Sequence, residues 1–373
     1  MIMFGKKALG LALAALVFTG CQADEQTSDI LVTDVDHTRV KRQSIGNCWI
    51  YAQATWLESL IKTHSEEDVN VSETYWTYWH WHDQIVGSSI TDLQTGGWWR
   101  ESNRIMAQYG WVLESEFIAE EDDGEISWTQ SSALAVINQE LKEGGRLATR
   151  ESRTSENVLA VMNEAFGSNV QDAMAVARSI DDTFVGEDVT VRDAIYGGGA
   201  TRWNQVSFPR VYGQGAVPSR WQQRNRDNLL YRVRRALNDN YPVVITLMID
   251  FNALDINDQT FKASTLRDAG AIGRQGGHML VLSDYTVDNA PGYGYIGEGE
   301  VSDEMKAAAL QGDLVLLKAK NSWGTNRPDR GLTDGYTRFD MEYLTTPLEW
   351  KWGDSDQTSY YTTLTNFVLP PGY

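Results

Sequence analysis

The chain is poor in cysteine, in positive charge and in long hydrophobic runs, and each shortage excludes something. Only Cys21 and Cys48 occur in 373 residues. Cys21 directly follows an export-type leader, so the processed chain keeps Cys48 as its one thiol free to react and has no partner for an internal disulfide, even in an oxidising compartment. With 32 Lys and Arg against 51 Asp and Glu, the formal net charge is −19. That sign argues against holding nucleic acid or an anionic lipid surface by electrostatics. The apolar run at 8–18 follows Lys6 and Lys7 and is too short to span a bilayer; it has the form of a cleaved export signal. Internal repeats are absent from the sequence.

Metal-ligand spacing is missing too. His80-Trp81-His82 puts two imidazoles at i and i+2, which point to different faces of a helix, and no Cys or carboxylate completes a set. The acidic run Glu120-Glu121-Asp122-Asp123 lacks the alternating ligands of a cation loop. Neither a metal nor a cofactor is expected.

What is present is a 42% hydrophobic chain, long enough for one large core or two subdomain cores sharing a cleft. Residues 1–20 read as the leader and 21–37 as a polar tether. From Cys48 the apolar residues Trp49, Ala52, Trp56, Leu57, Leu60 and Ile61 recur at helical spacing, with Gly46 and Asn47 at the start. Ser72 is a good N-cap for a second helix through Trp76 and Trp79, and a third runs from Trp98 to a stop at Gly110. Residues 38–126 are thus a helical subdomain. Residues 127–226, amphipathic helix followed by a Gly- and Arg-containing stretch, read as a helical insertion or lid. After a helix at 227–238, the region to 373 is rich in short β-type runs, the last at 360–369 reading as a terminal edge strand. The expected class is α+β, with the functional cleft between a helical and a β-rich half.

The residues that carry chemistry fall on those elements. A thiol is nucleophilic as thiolate, and a helix N-terminus with a nearby imidazolium lowers its pKa; Cys48 begins a helix, where its own N–H is free to face an oxyanion. His278 follows Gly276-Gly277 and opens the apolar run Met279-Leu280-Val281-Leu282, which makes it the best candidate base. Asn321 in Lys320-Asn321-Ser322-Trp323-Gly324 is placed to orient the imidazole, with Trp323 shielding that hydrogen bond from water.

Gly46-Asn47-Cys48-Trp49, Gly277-His278-Met279 and Asn321-Ser322-Trp323-Gly324 followed by Gly335-Tyr336 together resemble the three signature blocks of the papain-like cysteine peptidases, in the family's order Cys, His, Asn. Val71-Ser72-Glu73-Thr74-Tyr75 through Trp79, and Thr95-Gly96-Gly97-Trp98-Trp99 through Gly110-Trp111-Val112, resemble blocks of the bleomycin hydrolase and aminopeptidase C branch. The resemblance implies a papain-like fold, a helical subdomain facing a β-barrel-like one, and hydrolysis of peptide or protein substrates. It implies substrate backbone contact at Gly97, with Gly96 beside it. It also implies an oxyanion Gln, although Gln43 lies five residues before the Cys where six is usual and Arg42 stands in the expected place. The Cys-to-His separation exceeds the roughly 130 to 150 residues of the papain group, and the insertion accounts for the excess. That branch uses its own C-terminus to select free amino ends; here the strand-like tail favours endopeptidase action.

Val17-Phe18-Thr19-Gly20-Cys21 resembles a bacterial lipobox, which implies acylation of Cys21 and, with Gln22 next, an outer-membrane or cell-surface lipoprotein held by several acyl chains. Two rivals remain at this level: a cell-wall peptide amidase using Cys and His, against which the Asn-Ser-Trp-Gly block argues, and a surface-anchored binding protein on a peptidase scaffold that has lost turnover.

Overall fold

The computed structural model describes residues 35, 37–122, 126–327, 332–351 and 357–373; the leader, Cys21 and most of the tether lie outside the described residues. The helices are α1 (Cys48–Ser65), α2 (Glu73–Ile85), α3 (Trp99–Tyr109), α4 (Trp128–Glu140), α5 (Ser155–Phe166), α6 (Val170–Val176), α7 (Val191–Tyr196), α8 (Arg220–Asn238), α9 (Ala263–Ala269), α10 (Asp303–Ala309) and α11 (Met341–Thr345). The strands are β1 (Phe184–Gly186), β2 (Val189–Thr190), β3 (Asn204–Ser207), β4 (Val243–Asp250), β5 (Leu254–Asp255), β6 (Thr260–Phe261), β7 (Gln275–Ala290), β8 (Gly294–Ile296), β9 (Asp313–Lys320), β10 (Tyr336–Asp340), β11 (Pro347–Lys351), β12 (Thr358–Thr362) and β13 (Leu364–Leu369).

The helix boundaries follow local chemistry. Ser72 accepts a hydrogen bond from the Tyr75 N–H at 3.1 Å and so caps α2. Gly110, at φ 71°, ends α3 with its N–H on Met106 O. Asn47 precedes α1 without capping it through its side chain; its Nδ2 donates instead to Thr77 and Gln130, at 2.9 and 2.8 Å, tying the start of α1 to α2 and α4.

One nine-stranded sheet runs β3-β13-β4-β7-β9-β10-β6-β5, with β8 beside β7. Side chains alternate along a strand, and this alternation divides the molecule. Val244, Met279, Val281 and Val368 join the core made with α1–α3. Ile245, Leu280, Leu282 and Phe367 face the opposite way, onto a second core that includes α8. A helical lobe thus packs on one face of the sheet and α8 on the other, an α+β arrangement as expected.

Residues 127–226, expected as a helical insertion or lid, pack onto the helical lobe: Ile137, Val158, Met162, Phe166, Ala194 and Trp203 lie in the same core as α1–α3. One expectation needs correction. The terminal run is not an edge strand. It breaks at Thr363 into β12 and β13, and β13 is hydrogen-bonded on both sides, to β3 and to β4. The edge position belongs to β3.

Candidate active site

Cys48 is the first residue of α1, so its backbone N–H is among the helix-start donors that no helical carbonyl satisfies. His278 lies near the start of β7, opposite Leu247 of β4. Lys320 of β9 pairs with Val281, which brings Asn321, one residue past the end of β9, alongside His278. The His278 Nε2 and Asn321 Oδ1 are 3.0 Å apart. Asn321 is itself pinned: Oδ1 also accepts from the Ser322 N–H at 2.8 Å, Nδ2 donates to Thr337 Oγ1 at 2.7 Å, and its backbone N–H donates to Gly335 O at 2.9 Å. Gly335 sits at φ 81°, and a Cβ there would lie 2.5 Å from Val40, so only glycine fits.

Cys48, His278, Gln43, Gly46 and Trp323 line one cleft of about 530 Å³. With Nε2 engaged by Asn321, Nδ1 is the His278 nitrogen left to take a proton. Burial pushes His278 down to about 4, opposed by the Asn321 hydrogen bond. Burial pushes the Cys48 thiol up to about 11, opposed by the backbone N–H groups of Met279, Trp49 and Cys48 itself. Burial by itself favours the neutral form of each, thiol and imidazole. This differs from the lowered thiol pKa expected of a helix start, because desolvation outweighs the helix-end amides.

Gln43 is held at the cleft from both ends: its N–H donates to Ser322 O at 2.9 Å and its Oε1 accepts from Ser322 Oγ at 2.5 Å. Its Nε2 donates to Ile45 O at 2.6 Å, which uses one of two amide hydrogens. The segment 95–97 borders the other side of Cys48. A Cβ on Gly46 would lie 3.0 Å from Thr95 Oγ1, and one on Gly97 would lie 2.5 Å from the Trp49 ring. Gly97 is thus required by packing on Trp49, whereas Gly96 has open space where a side chain would stand.

Sequence reasoning missed the buried ionic cluster beneath Asn321. Lys41 Nζ lies 3.0 Å from Glu58, 2.8 Å from Glu73 and 2.7 Å from Val71 O. Lys320 Nζ donates to Thr38 at 3.1 Å and is 4.0 Å from Glu58. Burial, then Glu58, holds Glu73 up at about 7, against the pull of Lys41. Burial brings Lys320 down to about 8, with Lys41 adding to the fall and Glu58 opposing it. The available signal was Glu58 itself, a charge among the buried Trp56, Leu57 and Leu60 of α1.

His80 Nε2 contacts the Gln84 amide at 2.8 Å, and His82 contacts Asp83 at 3.2 Å and Ser155 at 3.3 Å. No group of three or more His, Cys, Asp or Glu among the described residues is placed to hold a metal ion.

No protein-family model matches the chain, and no curated protein matches it. Among solved structures it is similar to xylellain, a cysteine protease from Xylella fastidiosa, at 13% identity over 91% of this chain and 86% of that one, with a TM-score of 0.38. It is also similar to the clostridial cysteine protease Cwp84, at 11% identity over 89% of this chain and 54% of that one, with a TM-score of 0.38. A Carica candamarcensis cysteine protease in complex with E-64 matches at 13% identity over 89% and 92% of the two chains, with a TM-score of 0.33.

Proposed function

We propose that the chain is a papain-type cysteine peptidase acting on peptide or protein substrates. One observation carries this reading: Cys48 at a helix start shares a cleft with His278, whose ring is fixed by Asn321 at 3.0 Å. The thiol passes its proton to His278 Nδ1 as sulfur attacks the scissile carbonyl, because burial favours the neutral form of both groups. The developing oxyanion is met by the Cys48 N–H and the remaining amide hydrogen of Gln43. Imidazolium then protonates the leaving amine, and His278 activates water to release the thioester.

The likeness to the bleomycin hydrolase branch in the blocks at 71–79 and 95–112 does not extend to its mode of action, in this reading. Tyr373 lies on α8: Arg232 donates to its carbonyl, its hydroxyl donates to Asp239, and Arg235 lies over its ring at 4.9 Å. No described residue beyond Arg327 lines the cleft. The described segment 357–373 thus takes no part in the cleft lining, which supports endopeptidase rather than aminopeptidase action. We further propose that Cys21 carries the lipid anchor and places the enzyme on the outer membrane or cell surface.

Labelling with an epoxide inhibitor, followed by mass mapping, tests the assignment directly. Modification confined to Cys48, together with hydrolysis of an N-terminally blocked peptide, is the expected result. A wild-type chain that is inert to both overturns it.

A further inference from the structure

The lining of the catalytic cleft is opposite in charge to the rest of the chain. In a sequence with 51 acidic and 32 basic residues, the cleft is lined by Arg42, Arg274 and Arg327 and, among the described residues, by no Asp or Glu. Arg42 and Arg274 make no ion pair with any described carboxylate.

Both are held toward the cleft. The backbone of Arg42 bridges to Ile126 on one side and Trp323 on the other, which fixes its place beside the tryptophan that covers the catalytic base. Arg274 lies with its guanidinium carbon 4.5 Å over the Phe251 ring. Phe251 packs on Trp323 at 5.4 Å and Trp323 on His278 at 4.8 Å. A row of rings in contact therefore leads from the base to a cation.

The side of the cleft follows from the chemistry. His278 must protonate the leaving amine, so the substrate residues after the scissile bond lie on the His278 and Trp323 side, away from segment 95–97. An extended chain rises about 3.3 Å per residue. The row is then spanned by roughly four residues of substrate.

We infer that Arg42 and Arg274 form a carboxylate-selecting subsite on the leaving-group side of the cleft. The inference rests on the peptidase reading above. The carboxylate is either an Asp or Glu side chain within about four residues after the cut or the free C-terminus of a short substrate. The two sources share a chemistry, bidentate Arg to carboxylate. The net charge of the chain repels acidic peptides at long range, but beyond about 8 Å salt screens that repulsion, while a contact inside the cleft persists.

The test uses N-terminally blocked, internally quenched peptides with a common sequence before the cut. Glu, Gln or Lys is placed in turn at each of four positions after it, and every peptide is made with a free and with an amidated C-terminus. The expected kcat/KM order is Glu, Gln, Lys at one position or more, with Glu over Lys by roughly fivefold or greater. That ratio falls toward one in Arg42→Gln with Arg274→Gln, is partly kept in Arg274→Lys, and reverses in Arg274→Glu. A gain confined to free C-termini and lost on amidation, with the same loss in the double variant, assigns the subsite to the terminal carboxylate. Equal rates across all three residues and both termini, with every peptide cut, overturn the subsite and leave the peptidase standing. If the wild type cuts none of them, alkylation of Cys48 decides. Iodoacetate reacting faster than iodoacetamide, with the difference lost in the double variant, retains the subsite while the peptidase reading falls. Equal alkylation overturns both.

Discussion

Trp323 lies over the ring of His278, with centroids 4.8 Å apart and planes inclined by 17°. The same ring is held at its edge by Asn321. The two contacts act on the imidazole in opposite directions. Burial lowers its pKa, whereas the Asn321 hydrogen bond raises it.

That opposition gives a paired prediction. A neutral imidazole is the working base, so the acid limb of the kcat/KM profile follows the His278 pKa. Trp323→Ala admits water, lifts His278 from about 4 toward the ordinary 6.5 and moves the acid limb to higher pH. Asn321→Ala removes a hydrogen bond that favours the charged form and moves the limb lower. Both lower kcat, Asn321→Ala by on the order of a hundredfold because the ring loses its orientation. A limb that moves against its predicted direction in either variant would show that the residue does not act on His278 in this way.

Cys48→Ala is expected to abolish both hydrolysis and thiol-directed labelling. Gln43→Ala should leave labelling largely in place while kcat drops by on the order of 10² to 10³, read from initial rates on a blocked peptide. A Gln43→Ala enzyme with undiminished kcat would mean that the oxyanion is met by backbone alone.

The buried cluster predicts an asymmetry between its two lysines. Lys41 faces Glu58 and Glu73 at 3.0 and 2.8 Å, so Lys41→Met leaves Glu73 without its cation and Glu58 with Lys320 at 4.0 Å, and costs about 3–5 kcal/mol in urea unfolding. Lys320 is lowered to about 8, below its unfolded value. Its charge is therefore a penalty to folding at neutral pH that is relieved as pH rises from about 8 to 10.5. Lys320→Met should be less harmful than Lys41→Met at pH 7, and the advantage should shrink by pH 10.

Ending the chain after Leu369 removes Tyr373 from α8 but keeps β13 complete. Cleavage of N-terminally blocked peptides by that variant should match the full chain. Blocked peptides left intact by the full-length protein, with free-amino peptides trimmed one residue at a time, would reverse the endopeptidase assignment.

Cys21→Ser should leave the leader uncleaved or release the protein from the membrane fraction. Intact mass of the purified wild type should show a diacylglyceryl-type addition on Cys21; an unmodified N-terminus would reject the anchor.

Cys48, His278 and Asn321 could be singled out because each sits on a local signal: a helix start at Cys48, a Gly-Gly pair before His278, and a tryptophan two residues after Asn321; the structure places Cys48 and His278 on one cleft, with Asn321 3.0 Å from His278. Helix starts at Ser72 and stops at Gly110 were legible for the same reason. Partnerships across the chain were not. Nothing near Thr337 marks it as the acceptor for Asn321, and nothing near Lys41 announces Glu73, 32 residues away. The terminal strand was misplaced because alternation identifies a strand but not its neighbours; β3, which covers β13, is four residues long and mostly polar. The desolvation that raises the Cys48 thiol was not legible, because a helix start is visible in sequence while burial is a property of the assembled cleft.

The position of β13 also sets an order of events. This strand is wedged between β3 and β4, and β4 in turn pairs along the stretch of β7 that carries His278. A chain emerging from a ribosome presents Cys48, and later His278, before residues 364–369 arrive to fill the gap. Until then β3 has no strand to pair with, and β4 has one open side. Assembly of the sheet therefore waits on residues 364–369, so the cleft geometry cannot form on precursors that stop short of them.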